Sequence, residues 1–427
     1  MRTQRFLQKN ESLQIKDYRR YLTTRFLLIF SLNWQTAVVA YLVYELTRYS
    51  KDGPALYLGF MGLAEVIPAV GGSLLSGPFV ERNEKRSLVM ACILLYAVLS
   101  LLYVVVAFPS VQGALGMNGT LTLLYSGIFI GGLARAFWSP SAFSLVGLLV
   151  PRPLLPNATT WSSMAWQAGA VLGPLAGGLL LAPLGYEVSF LTVTFLLLLS
   201  GVALSPVPKQ AVYAPETKEP VLKSVGEGLR FVFKNQLLLS ALSLDLFAVL
   251  FGGAMALLPV YANEILHVGP QGYGWLKAAD GIGVITTLLL LSWKPLKTAP
   301  GWKLLLAVGG FGVCTIVFGL STQYWLSLTA LVVLGMCDGV SVVLRGIILQ
   351  LKTPQHMRGR VAAVNTMFVS SSNEIGSLES GLTARAFGTV PSVVLGGVLT
   401  IVVATVVGFA APRLRTFDIT KEAEEEP

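Results

Sequence analysis

Several ionisable side chains lie inside long apolar stretches of this chain, where they could take up or release protons. The central candidates are Glu65, Arg135, Asp245, Asp280, Asp338 and Glu374. A charge at the centre of a bilayer costs about 2.5 to 3.5 kcal/mol on insertion scales, so each needs a partner, water or a function. Because a carboxylate can release a neighbouring cation when it is protonated, we expect some of these groups to couple protons to another event.

Glu65 and Arg135 are predicted to lie at similar, central depths in the second and the fourth span. They fall about 10 and 14 residues from the outer ends of those spans, at a rise of about 1.5 Å per residue. The sequence therefore predicts an interaction between them, which is either a structural pair or a proton-coupling pair. Asp245, beside Phe247, is the second candidate for proton or substrate binding.

The remaining charges allow both structural and functional interpretations. Lys277 and Asp280 are three residues apart and can pair on one helix face, for which we favour a structural role. Asp338 and Arg345 are seven residues apart, and we expect Arg345 to extend its side chain to the nearby cytoplasmic surface. Glu374 follows a polar run of serines, which predicts a surface that faces a polar cavity.

A second set of side chains could line a substrate cavity. These polar and aromatic candidates are Asn33, Gln35, Phe137, Trp138, Trp166 and Asn373. The aromatic rings would stack on a bulky planar molecule, although each one on its own is more often a packing residue.

The apolar runs that hold these residues predict an all-α membrane protein with twelve transmembrane helices. The chain has 427 residues, 54% of them hydrophobic and 12% charged, which excludes a soluble or disordered protein. A span needs about 20 apolar residues. The predicted spans lie roughly at 21–46, 55–78, 87–108, 121–149, 160–182, 187–205, 236–262, 271–293, 302–321, 325–347, 358–385 and 389–411.

The distribution of basic residues predicts the orientation. Most of the 31 Lys and Arg residues fall in the N-terminal segment, the even-to-odd connections and the C-terminal tail, whereas Arg48, Lys51 and Arg385 fall on the other side. This bias places both termini in the cytoplasm.

The spans form two groups of six. We predict an N-terminal six-helix bundle at 1–205, a cytoplasmic linker at 206–235, a C-terminal six-helix bundle at 236–412 and an acidic cytoplasmic tail at 413–427. The second part of the linker has apolar residues at helical spacing, which predicts an amphipathic helix at the membrane surface, with a solvated loop as the alternative.

A glycine stripe lies in the predicted fifth span. Gly169, Gly173 and Gly177 recur every four residues, and Pro174 and Gly178 complete the string G-x-x-x-G-P-x-x-G-G. Such a stripe lets another helix approach closely. The string resembles the fifth-helix signature of proton-driven exporters in the major facilitator superfamily. The resemblance implies a helix that seals the interface between two bundles.

The short loop after the second span resembles the superfamily's signature G-x-x-x-D-R-x-G-R-R. It reads Gly77-Pro-Phe-Val-Glu81-Arg82-Asn-Glu84-Lys85-Arg86. The glycine, the acid and the three basic positions match, whereas Glu84 stands where the signature has glycine. The resemblance implies that these charges latch a cytoplasmic gate, and the departure at Glu84 puts the tight turn in doubt.

Three further stretches resemble the siderophore and macrolide (enterobactin-type) exporter branch of the superfamily. They begin at Phe137, Ala254 and Thr353 and read Phe-Trp-Ser-Pro-Ser-Ala, Ala-Met-Ala-Leu-Leu-Pro-Val-Tyr and, with a gap, Thr-Pro then Met-Arg-Gly-Arg-Val-Ala. The resemblance implies the major facilitator fold and alternating access of its two bundles.

The sequence thus predicts a transporter of the bacterial inner membrane, and not an enzyme. It contains no G-x-x-x-x-G-K-[ST], no H-E-x-x-H and no C-x-x-C, so we expect no cofactor and no metal. The expected partners are a small-molecule substrate, protons and the lipid bilayer, with no nucleic acid, and a monomer is the default. Proton-coupled export of a siderophore or hydrophobic drug is the main interpretation. Nutrient uptake, lipid or lysolipid flipping, and a membrane receptor or scaffold are the alternatives.

Overall fold

The computed structural model describes residues 11–211, 221–293, 300–354 and 357–417. These residues form helices, and no strand occurs among them. The longer helices are α1 (Lys16–Thr47), α2 (Pro54–Arg82), α3 (Lys85–Ala107), α4 (Pro109–Leu149), α5 (Leu155–Leu204), α6 (Val221–Lys234), α7 (Gln236–Phe251), α8 (Gly269–Trp293), α9 (Pro300–Leu320), α10 (Tyr324–Lys352), α11 (Arg358–Phe387) and α12 (Thr389–Ala410).

These helices account for the twelve predicted spans. Within the described residues, nine stretches are long and apolar enough to cross a membrane. One of them belongs to α5, which contains two spans because Gly185 (φ 73°) departs from helical geometry at its middle. The other two spans are α2 and α11, which are 29 and 30 residues long.

The seventh span is not one continuous helix. α7 ends at Phe251, and three short helical turns follow it, Gly253–Leu257, Leu258–Val260 and Tyr261–Ile265. Two consecutive glycines, of which Gly252 is the C-cap of α7, disfavour a continuous helix here. Broken helices are tolerated inside membrane proteins when protein groups satisfy the freed backbone.

The contacts divide the chain into two compact units. The first unit comprises Met1–Leu46 and Ile67–Lys218, and the second comprises Thr47–Val66 and Glu219–Pro427. The predicted boundaries differ from this division at Thr47–Val66, which was expected in the first bundle. The tail beyond Phe417 lies outside the described residues.

The physical reason for this assignment is the close packing of the first half of α2 on α11. A Cβ atom added at Gly59 would lie 3.0 Å from the Gly381 Cα, and one added at Gly62 would lie 2.5 Å from the Glu374 backbone oxygen. An ion pair of 2.5 Å between Asp52 and Arg385 adds to this contact.

The glycine stripe brings α5 against α1 within the first unit. A Cβ atom added at Gly169 would lie 2.8 Å from the Phe30 backbone nitrogen, and one added at Gly173 would lie 2.5 Å from the Phe30 backbone oxygen. At Gly177 the nearest atom would be Cδ1 of Trp34, at 3.1 Å. The stripe is therefore a helix-packing surface of the first unit.

Pro174 and Gly178, which complete the string around the stripe, are buried in the same helix. Pro174 lies inside α5, where it removes one backbone donor. The predicted role of the stripe in sealing one bundle against the other remains a prediction.

Helix α6 packs on the beginning of α11 in the second unit. Val232 is fully buried, and a Cβ atom added at Gly228 would lie 2.8 Å from the Arg360 backbone oxygen. Glu227 and Arg360 form an ion pair of 2.5 Å. The second part of the linker is thus helical, and α6 packs on α11. Its contact with the membrane surface stays a prediction.

We predict that Gly173→Ala lowers the free energy of unfolding by about 1 to 3 kcal/mol, because the added methyl group has no space against the α1 backbone. The control is Gly147→Ala, also in a helix of the first unit, where a Cβ atom would meet nothing within 4 Å. Thermal unfolding of both purified variants in detergent is the measurement. Equal melting temperatures for the two variants would contradict the packing role.

Candidate functional site

Three of the predicted central charges come together around Lys277 in the second unit. The Lys277 ammonium on α8 interacts electrostatically with the carboxylates of Asp280, Glu374 and Glu65. Asp280 lies on the same helix, three residues away. Glu374 lies on α11, and Glu65 lies one turn beyond the close contact of α2 with α11. A cation therefore lies among three carboxylates supplied by three helices.

Asp338 on α10 adds a fourth carboxylate. A Cβ atom at Gly335, one turn earlier, would collide with the Asp280 backbone, so α8 and α10 are in backbone contact at this level. The Thr287 hydroxyl supports the same contact by donating to the Met336 carbonyl at 2.9 Å. Asp280 and Asp338 interact electrostatically, and a proton on either one removes their repulsion.

We call this set the Lys277 charge group. Its members are Glu65, Lys277, Asp280, Asp338 and Glu374. Each side chain is half-buried. When all five are ionised, the carboxylates exceed the single cation by three charges. The group can therefore accept protons with a decrease in net charge, which is favourable in apolar surroundings.

Asp245 belongs to a separate ion pair. It pairs with Arg345 on α10, and the two residues are only 5% and 6% exposed. The expectation that Arg345 reaches the cytoplasmic surface is wrong, because the guanidinium is buried against this carboxylate. A buried pair with one partner removed leaves an uncompensated charge, so each group depends on the other.

The predicted pairing of Glu65 with Arg135 involves both units. Glu65 belongs to the second unit and Arg135, half-buried on α4, to the first. Their pairing stays a prediction.

The aromatic candidates in the first unit are largely engaged in packing. Trp138 is 2% exposed and stacks on Trp166, with ring centroids 5.8 Å apart and planes 22° apart. Phe137 meets Phe79 edge to face at 5.4 Å. The interpretation of Trp138 as a surface for substrate stacking is therefore corrected, because its ring is covered by protein. Trp166 and Phe137 remain half-buried.

The polar candidates differ in exposure. The Asn33 amide on α1 donates to the Ile29 carbonyl at 2.9 Å, and Asn33 lies beside Gly173. Gln35 is 8% exposed, and its Oε1 has no partner among the described residues. Asn373 on α11 is exposed and donates to the Val369 carbonyl at 2.8 Å. Of the three, Asn33 and Asn373 retain surface for a ligand.

Where α2 ends and α3 begins, two of the three basic residues donate to nearby backbone carbonyls. Arg86 donates to the Ser205 carbonyl at 2.5 Å, just beyond the end of α5, and Lys85 donates to the Asn83 carbonyl at 2.9 Å. Arg82 is exposed. The predicted gate residues Gly77 and Glu81 lie outside the residues whose side chains are described.

Glu84, the departure from the superfamily signature, has a defined structural role. Its carboxylate caps α3 by accepting from the backbone amides of Arg86 (2.9 Å) and Ser87 (2.8 Å). It also accepts from the Gln210 amide at 3.1 Å, in the first residues of the linker. Partial burial opposes ionisation, but these bonds and one from the Ser87 hydroxyl together lower the pKa of Glu84.

Three important side chains were missed or undervalued by the sequence reasoning. Arg345 and Glu84 were assigned lesser roles, and Arg25, whose guanidinium lies over the Trp166 ring at 5.4 Å, was counted with the basic N-terminal segment. The one signal in the sequence that could have identified Arg25 is its position within the predicted first span, 21–46.

We predict that Glu84→Ala accelerates tryptic cleavage after the exposed Lys209 several-fold, because the Gln210 amide loses its acceptor. The carboxylate has a lowered pKa in the folded protein, so its stabilisation is complete above the ordinary carboxyl pKa. It is lost only as the pH falls through the lowered value. Limited proteolysis at neutral pH, followed by mass spectrometry, measures the rate. Glu45→Ala, which changes an exposed carboxylate of the same unit, is the control and should cleave at the wild-type rate.

We further predict that Asp245→Asn or Arg345→Gln lowers the free energy of unfolding by about 3 to 5 kcal/mol, because one buried charge is left alone. The double variant Asp245→Asn with Arg345→Gln should lose less than the sum of the single variants. The exposed pair Asp52 with Arg385 is the comparison, since breaking it should cost about 1 kcal/mol or less. Thermal unfolding of purified protein measures all of these, and strict additivity at the buried pair would refute the coupling.

Comparison with known proteins agrees with this architecture. Residues 22–377 match the Major Facilitator Superfamily. The chain is 25% identical over 382 residues to the multidrug efflux pump Tap of Mycolicibacterium fortuitum, a match that covers 87% of this chain and 91% of that protein. It is 29% identical over 240 residues to the enterobactin exporter EntS of Escherichia coli O1:K1 / APEC, which covers 55% of this chain and 56% of that protein.

Solved structures with the same fold have lower identities. A bacterial homologue of the human lysosomal transporter Spinster has a TM-score of 0.69 and 17% identity, and covers 95% of this chain and 98% of its own. A D-xylose–proton symporter has a TM-score of 0.71 and 14% identity, with 94% and 99% covered. The chain is therefore a multi-pass membrane protein that belongs to the Major Facilitator Superfamily.

Proposed function

We propose that this protein is a proton-coupled exporter of an amphipathic small molecule, such as a siderophore or a hydrophobic drug. The observation that carries the proposal is the Lys277 charge group, in which three carboxylates interact with one cation and a fourth, Asp338, interacts with one of the three, within the helices of the second unit. Charges inside a membrane protein mark ion or substrate pathways, because a purely structural role does not require so unbalanced a set.

The charge group provides a simple coupling mechanism. Protons that enter from outside neutralise one or more of the excess carboxylates and weaken their attraction for Lys277. Since the two access states of a transporter expose such a group differently, protonation changes their relative free energies. Substrate leaves on the outward-open side, and protons leave on the inward-open side, as in alternating access.

The direction and the class of substrate are inferred from relatives. Tap is named a multidrug efflux pump and EntS an enterobactin exporter. Both names describe outward transport of small molecules. For this chain we accordingly propose export across the inner membrane, with both termini in the cytoplasm as the Lys and Arg distribution predicts.

The test is transport by the purified protein in liposomes with an imposed pH gradient. Internal pH is recorded while enterobactin, a macrolide or a cationic dye is added in turn. We expect proton movement that depends on one of these compounds and falls at least tenfold in Asp280→Asn. Exchange of labelled substrate in the absence of a gradient should be retained by this variant, because exchange needs no net proton movement.

The matched control is Glu45→Gln, which neutralises an exposed carboxylate at the end of α1. It should behave as wild type in both measurements. Substrate flux without proton movement in the wild-type protein would overturn the coupling and favour facilitated or lipid-type transport.

A further inference from the structure

The cation Arg25, in the first unit, lies against aromatic rings, whereas Lys277 and Arg345 interact with carboxylates. The Arg25 guanidinium on α1 lies over two indole rings, 5.4 Å from the centroid of Trp166 and 6.0 Å from that of Trp138. The two rings stack on each other, so the cation contacts a pair of stacked aromatic rings. Arg25 and Trp166 are half-buried, whereas Trp138 is buried.

Two hydrogen bonds fix the orientation of this guanidinium. Nε donates to the Ser162 carbonyl at 3.0 Å, and Nη1 donates to the Tyr21 hydroxyl at 3.1 Å. The Tyr21 hydroxyl donates in turn to the Ala142 carbonyl at 3.0 Å. A guanidinium has five N–H donors, so these contacts hold it in place while they leave most of its donors, including those on Nη2, available.

No carboxylate pairs with Arg25 among the residues that the structure describes. On the same helix, Asp17 is engaged with Arg20 at 2.9 Å. The Glu84 carboxylate accepts the amides that begin α3 and the Gln210 amide. The positive charge of Arg25 is thus held by neutral groups and aromatic faces, which orient it without neutralising it.

We propose that Arg25 and Trp166 form a binding subsite for the carboxylate of an aromatic substrate, and that Trp138 supports this subsite by stacking on Trp166. A guanidinium presents parallel N–H groups that match a carboxylate, and it keeps its charge at all relevant pH values. The half-buried Trp166 ring offers a surface for the aromatic part. This inference rests on the proposed transport function and specifies an acidic aromatic class of substrate for it.

The position along α1 fits capture from the cytoplasm. Arg25 lies nine residues after the beginning of α1 at Lys16, or about 14 Å along the helix. Because the predicted orientation puts this end of the helix in the cytoplasm, an exported acid would meet the Arg25 subsite early on its path.

The test is equilibrium binding to the purified full-length protein in detergent, by calorimetry at neutral pH and without a gradient. The probes are naphthalene-1-carboxylate and its neutral analogue 1-naphthamide. We expect Arg25→Gln to weaken binding of the carboxylate at least tenfold and to change binding of the amide less than twofold. Normal amide binding also shows that the variant is folded.

Two further variants test whether the effect is specific to Arg25 and to its guanidinium. Arg19→Gln removes an exposed cation of the same helix and should leave both affinities unchanged. Arg25→Lys keeps the charge but loses the planar donors, and it should bind the carboxylate with intermediate affinity. Equal binding of the carboxylate to wild type and Arg25→Gln, or no binding to wild type, would overturn the subsite.

This result is separable from the proton-coupling proposal. Carboxylate binding that depends on Arg25, in a protein that shows no substrate-driven proton movement, would support the subsite and overturn the coupling. Proton-coupled macrolide transport, together with carboxylate binding that is unchanged in Arg25→Gln, would support the coupling and overturn the subsite.

Discussion

The cost of holding an ionised side chain among apolar helices governs the arrangement of this protein. The two units meet that cost differently. In the first unit, Arg25 is held by carbonyl, hydroxyl and aromatic groups. In the second unit, the carboxylates of the Lys277 charge group outnumber its cations, and the one cation, Lys277, is shared among several of them. The second unit therefore contains both an unbalanced charge group and a balanced ion pair, in which Asp245 and Arg345 neutralise each other.

Close backbone contact is what brings these charges to their positions. Gly62 lets α2 approach α11 at Glu374, and Gly335 lets α10 approach α8 at Asp280. Without a driving force from water, membrane helices associate through this kind of packing, and small residues permit it. A larger residue at Gly335 would separate α8 from α10 and with them the carboxylates of Asp280 and Asp338. The electrostatics of the site thus depend on glycines that carry no charge.

The sequence predicted the number and order of the spans, because each apolar run is long and is bounded by polar or glycine-rich segments. It predicted less about which side chains meet, since that depends on the rotation of each helix against its neighbours. Arg345 was expected at the surface, yet rotation of α10 directs it to Asp245. Trp138 was a candidate for stacking on a substrate, yet its ring is buried against Trp166 and Arg25.

The linker illustrates how a departure from a family pattern acquires a structural role. A glycine in the loop signature supports a tight turn but offers no side chain. Glu84 instead caps the N-terminus of α3 and accepts a hydrogen bond from the Gln210 amide, so the first residues of the linker are attached to the first unit. At the other end, Glu227 and Gly228 attach α6 to α11 of the second unit. The described start of the linker, up to residue 211, is therefore held by the first unit, whereas α6 is held by the second.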